Sequence, residues 1–193
     1  PTLACPRRLL AQRLNARGRF AEALDVLQAC PSDFVDAEQR VVALLGLGQA
    51  GAAEAIVVAL TAGRTPGIEP PIHVRVLGFR LAHHRGDWRS ALALAEQLSR
   101  EASEHESDGR LDTWEEAKFD CLLRLGEMDR ARHFGEQQSG DAVTAARLAR
   151  TALGCQSIEL AAHFATLALH RNPDEPTARQ VQAALAQHAA ATA

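Results

Sequence analysis

A short pattern recurs along this chain: a Gly or small residue at a turn, then an Ala at helical spacing a few residues on. It reads G-R-F-A-E-A-L at Gly18–Leu24 and G-D-W-R-S-A-L at Gly86–Leu92. It reads G-E-M-D-R-A-R at Gly126–Arg132, with looser versions at Ala50–Ile56 and Gln156–Ala162. The first two copies lie 68 residues apart, two periods of about 34. A period of that size marks stacked helical hairpins. Such a fold works through its surface rather than through a catalytic pocket.

Proline and cap chemistry divide the chain into elements. Proline inside a helix costs about 3 kcal/mol, so the eight prolines mark helix starts, linkers and the terminus. The spacing predicts helices over about 6–16, 20–30, 34–48, 52–63, 71–85, 88–104, 112–125, 128–138, 141–153, 158–171 and 175–190. These make five antiparallel hairpins (6–30, 34–63, 71–104, 112–138, 141–171) and a capping helix, one helical repeat domain over 1–193. Ser32 or Asp33, Asp87, Asp112 or Thr113, and Ser157 are placed to cap helix starts. Gly18, Gly48, Gly63, Gly86, Gly126 and Gly154 follow apolar-periodic runs, as left-handed C-caps do.

Ala23, Ala91, Ala131 and Ala161 each sit five residues past their turn. There the second helix of a hairpin crosses closest to the first, and a larger side chain would force them apart. Leu10, Leu14, Leu27, Phe79, Leu81, Phe119, Leu122, Leu148, Phe164 and Leu167 supply volume around them. No hairpin buries both faces alone, so neighbours must stack.

Composition fits an all-α chain. Aromatics are 4% and Tyr is absent, a poor mixture for strands. Net charge is −3, which gives no strong pull toward nucleic acid or an anionic membrane. No apolar run approaches the ~20 residues that span a bilayer, so no membrane insertion is expected. The absence of a signal-like start points to the cytoplasm, or to the periplasm if such a segment has been removed.

Chemistry-bearing motifs are sparse. Cys5, Cys30, Cys121 and Cys155 form no C-x-x-C pair, and their spacing argues against zinc. Cys121 and Cys155 read as small buried thiols. An antiparallel first hairpin brings the ends carrying Cys5 and Cys30 together, as reduced thiols in a cytosolic chain. His83 and His84 are adjacent and point about 100° apart, so they do not chelate as a pair. Glu159 and His163 are at i, i+4, a spacing that serves surface contacts more often than metals. No nucleotide-loop, nucleophile-elbow or zinc-protease pattern occurs. The expectation is no enzyme, no metal and no cofactor. Residues 101–120 carry eight acidic side chains against Arg110 and Lys118. That stretch reads as a solvated loop or as an acidic docking lip.

On these residues the chain resembles the tetratricopeptide repeat (TPR) family. Gly18, Phe20, Ala23 and Leu27 match the family's second half-repeat, as do Gly86, Trp88, Ala91 and Ala95. Ala161, Ala165 and Ala168–Pro173 match its usual repeat ending. The departures are a long linker over Ser99–Leu111, an early end to the first repeat at Pro31, and Gly135 where a large residue is usual. An irregular relative among helical solenoids remains the alternative.

The resemblance implies a right-handed α-solenoid whose concave groove binds another protein or a peptide. The groove would be lined by the first helix of each hairpin: Arg8 and Gln12; Arg40 and Leu44; Arg80, His83 and His84; Glu116, Asp120 and Arg124; Arg150. Arg8, Arg40 and Arg80 would offer forks to carboxylates. Gln12 and Leu44 stand where the members that clamp heat-shock chaperone tails have Asn, which speaks against that ligand. The function implied is a non-catalytic interaction module or scaffold. A secretion-type chaperone shielding an apolar segment, or the repeat domain of a larger enzyme, are the alternatives.

Overall fold

The computed structural model describes residues 6–28, 34–62, 72–104 and 111–192, and all regular structure among them is helical. The helices are α1 (Pro6–Ala16), α2 (Phe20–Gln28), α3 (Phe34–Gly46), α4 (Ala50–Thr61), α5 (Ile72–Arg85), α6 (Trp88–Glu104), α7 (Leu111–Arg124), α8 (Met128–Gln138), α9 (Ala142–Gly154), α10 (Ile158–Arg171) and α11 (Pro176–Thr192). Each agrees in place with a helix expected from the sequence. Packing divides the chain into two compact units, Pro1–Leu94 and Ala95–Ala193, with the boundary inside α6.

The first unit stacks α1 on α2 and α3 on α4, and α3 also packs against α1 and α5. The second stacks α7 on α8 and α9 on α10, with α9 also against α7 and α11. Each unit therefore has the same grammar. Hairpins form locally, and their first helices line up side by side.

One turn recurs and sets that grammar. Gly18, Gly48, Gly86 and Gly126 have φ of 72°, 73°, 74° and 75°. At each, the next residue's N–H donates back across the helix end: Arg19 to the Leu14 carbonyl at 2.9 Å, Gln49 to Leu44 at 2.8 Å, Asp87 to Ala82 at 3.0 Å and Glu127 to Leu122 at 3.0 Å. This is a Schellman cap, which needs a left-handed residue. The fifth copy corrects an expectation. Gly154 is the last residue of α9, and the left-handed position belongs to Gln156, with φ 61°. Ser157 N–H closes that turn on the Ala152 carbonyl at 2.9 Å. A side chain in this conformation carries a steric cost that Gly avoids. Gln156→Gly should raise stability by about 0.5–1 kcal/mol after the entropy of the unfolded chain is counted. A urea midpoint that fails to rise would show that the turn imposes no strain on Gln156.

Five residues past each turn stands Ala23, Ala53, Ala91, Ala131 or Ala161, every one fully buried. Ala53 fixes the frame of the second hairpin on Gly48. The looser copy of the pattern at Ala50–Ile56 places that frame at Ala50, two residues late. Spacings between turns at 18, 48, 86, 126 and 156 are 30, 38, 40 and 30 residues, so the repeat is irregular.

Other expectations needed adjustment. Leu10 is 48% exposed, because Ala11, Leu14 and Asn15 form the inward face of α1 and Leu10 points off it. Asp87 does cap α6, accepting the Ser90 N–H at 3.2 Å. Ser157 precedes α10, but its hydroxyl donates to Met128 Sδ at 3.8 Å instead of capping. Asp112 and Thr113 lie within the first turn of α7 rather than before it. Cys5, Cys30, Ser32, Asp33 and Gly63 lie outside the described residues.

The core of the second unit explains Gly135. A Cβ there would fall 2.4 Å from Cζ of Phe164 and 3.1 Å from Cε2 of Phe119. Phe164, from the next hairpin, fills the space that a large residue in α8 would occupy. It packs edge-on to Phe119, with ring centres 5.5 Å apart at 84°.

Candidate functional site

The side-by-side first helices present one face in each unit, described separately. In the first unit, Arg8 on α1 pairs with the buried Asp36 of α3 through Nε at 3.2 Å. Asn15 donates to Gln39, to the main-chain carbonyl at 3.0 Å and the side-chain oxygen at 3.1 Å. Arg80 on α5 reaches Glu38 at 3.1 Å. Gln12 and His84 are exposed, while His83 is half-buried with its ring edge-on to Trp88 at 5.0 Å.

Two residues assigned to this face serve the interior instead. Arg40 donates through Nη2 to the Leu27 carbonyl of α2 at 2.8 Å. Leu44 packs against the cluster of Val41, Leu45, Ala53, Leu77 and Leu81. The two-residue error in the frame of this hairpin is the cause. Glu38 and Val42 occupy the register positions that Arg40 and Leu44 were given.

In the second unit, α7 and α9 bring Glu116, Asp120, Arg124 and Arg150 together with residues the sequence reading did not name. Arg147 on α9 grips one oxygen of Glu116, through Nε at 3.0 Å and Nη2 at 2.7 Å. The other Glu116 oxygen accepts the Thr151 hydroxyl at 2.8 Å. Asp120 accepts Arg124 Nε at 3.0 Å on both oxygens, and the Cys155 thiol at 3.0 Å. Beside the cluster is a cavity of about 140 Å³ whose lining includes Glu116, Gln138, Asp141, Thr144 and Arg147. The geometry at its rim is fixed by Asp141. That residue caps α9, accepting the Thr144 N–H at 2.9 Å and hydroxyl at 2.7 Å. These bonds hold its carboxyl below the usual carboxylate range.

The thiols here are chemically quiet. Burial pushes Cys121 up to about 12, with the charge of Asp120 adding to it. Burial, then the bond to Asp120, pushes Cys155 up to about 12. Neither forms a thiolate near neutral pH, so neither is poised as a nucleophile. Among the described residues no group of three or more His, Cys, Asp or Glu is arranged to hold a metal. Nor is any described helix long and apolar enough to cross a membrane.

The sequence held the signal for the missed residues. Val143, Arg147 and Arg150 are at i, i+4 and i+7, one face of α9. With the turn at Gln156 as origin, that face falls beside Glu116 and Asp120 of the preceding hairpin.

No family model matches the chain, and no curated protein does. A solved structure does: a tetratricopeptide repeat protein from Parabacteroides merdae, 16% identical, with a TM-score of 0.58 over 91% of this chain and 68% of that one. The chain has a TPR-like helical repeat fold. At this identity the likeness establishes architecture, all-α and built of stacked hairpins, and leaves the ligand to be argued from the faces themselves.

Proposed function

We propose that this protein is a non-catalytic interaction module that holds a peptide or partner protein on the face made by the first helices of its hairpins. The observation that carries this reading is the α7–α9 face. Its charged side chains are fixed in place by one another: Arg147 and Thr151 hold Glu116, and Arg124 and Cys155 hold Asp120. Side chains immobilised in this way lose little entropy on binding, which favours recognition. The TPR-like fold supports the same reading. A polar lining favours a scaffold or adaptor over a secretion-type chaperone, whose groove would be apolar. The reading holds equally for a chain acting alone and for the repeat part of a larger enzyme.

The test is site-resolved photo-cross-linking in the native host. A photoreactive residue at Val143, exposed on α9, should capture a partner. The same group at Ala162, exposed on α10, should not. Capture from Ala162 alone, or equally from both, would overturn the assignment of the face.

A further inference from the structure

The arginines of the first helices are unequally committed. Arg8, Arg40, Arg80, Arg124 and Arg147 each meet an oxygen at 2.7–3.2 Å. Arg150 does not. Its Nη2 stands 3.8 Å from Glu116 Oε1, beyond hydrogen-bond distance, and its side chain is 61% exposed. That oxygen already accepts Thr151, and the other is taken twice by Arg147. Glu116 stands at ion-pair distance from Arg150, but both of its oxygens are already hydrogen-bonded to Arg147 and Thr151. The Arg150 fork is left without a hydrogen-bonded carboxylate.

We propose that Arg150 is the receptor for a side-chain carboxylate of the bound partner, and that Val143 receives an apolar side chain of the same segment. This rests on the groove reading above and adds the ligand's chemistry. Val143 is 59% exposed and lies seven residues before Arg150, on the same face. Seven helical residues rise about 10.5 Å. An extended peptide advances roughly 3.3 Å per residue, so it covers that distance in three. The occupant is therefore an extended acidic segment with an apolar and an acidic residue three apart. Arg147, between the two, is neutralised by Glu116 and adds no further demand for negative charge.

The probes are fluorescein-labelled, Ala-based decapeptides carrying Leu-x-x-Glu or Glu-x-x-Leu, each with a Gln counterpart. They are titrated against the full chain by anisotropy at low salt. One order should bind, and its Gln counterpart should bind roughly tenfold more weakly, the value of one charge-assisted fork. Arg150→Gln should bring the Glu peptide down to the Gln level and leave the Gln peptide unmoved. Arg150→Lys should restore only part, because a point charge does not reproduce the planar fork. Glu116→Gln should tighten the Glu peptide, since it removes a competing carboxylate. Each variant's urea midpoint reports its folding separately. Equal binding of Glu and Gln peptides overturns the proposal, as does no binding of either order at millimolar concentration. If photo-cross-linking remains confined to Val143 in those cases, the acidic preference fails while the groove reading stands.

Discussion

Gly135→Val should be among the most damaging single substitutions in this chain, costing about 3 kcal/mol or more. Overpacking a well-packed core typically costs about 1–3 kcal/mol. Three features place this site at or above the top of that range. Gly135 is buried within α8. The new Cβ alone would fall 2.4 Å from the Phe164 ring and 3.1 Å from the Phe119 ring. Both rings are fully buried and packed edge to face, so neither has space to yield. A branched side chain then adds two methyl groups beyond the Cβ. Gly135→Ala should be damaging in the same direction and smaller. The gain in helix propensity of Ala over Gly, about 1 kcal/mol, sets the scale of the offset. A urea titration in which Gly135→Ala stabilises and Gly135→Val is neutral would show that Phe164 moves aside at little cost.

Much of this fold could be read from particular residues because their roles are local. A left-handed turn favours Gly, so Gly18, Gly48, Gly86 and Gly126 mark four of the helix ends. A close helix crossing demands a small residue, so the buried Ala five positions on marks the same hairpins. The errors arose where two residues offered the same local signal. In the Ala-rich stretch after Gly48, both Ala53 and Ala55 stand at plausible crossings, and only burial separates them. That ambiguity moved the frame by two residues. It gave Arg40 and Leu44 the register positions that belong to Glu38 and Val42 once the turn is set at Gly48. At the fifth turn, Gly154 is the obvious cap by composition, but the chain continues two residues before it reverses at Gln156. The contest among charges on the α7–α9 face was not legible at all. Whether Arg147 or Arg150 wins Glu116 depends on angles between helices some thirty residues apart.

Phe164→Ala should be the complement of the Gly135 substitution, with a loss of about 3–5 kcal/mol. The ring is fully buried, and it fills a space bounded by Phe119 and by the bare backbone of Gly135. Because α8 carries only a hydrogen at that position, it has no side chain to swing into the cavity. Little relaxation is therefore available, which puts the cost toward the upper part of the range. The pairing also makes a reciprocal test. Gly135→Leu alone should be strongly destabilising, and so should Phe164→Ala alone. Combined, the new Leu enters the volume that the ring vacates. The double variant should then be more stable than the sum of the two losses implies, by more than about 1 kcal/mol of coupling. The helix would also exchange a Gly for a good helix former. Simple additivity in the urea midpoints would mean that the two sites do not share one volume. The large residue missing from the fourth hairpin would then not be supplied by the fifth.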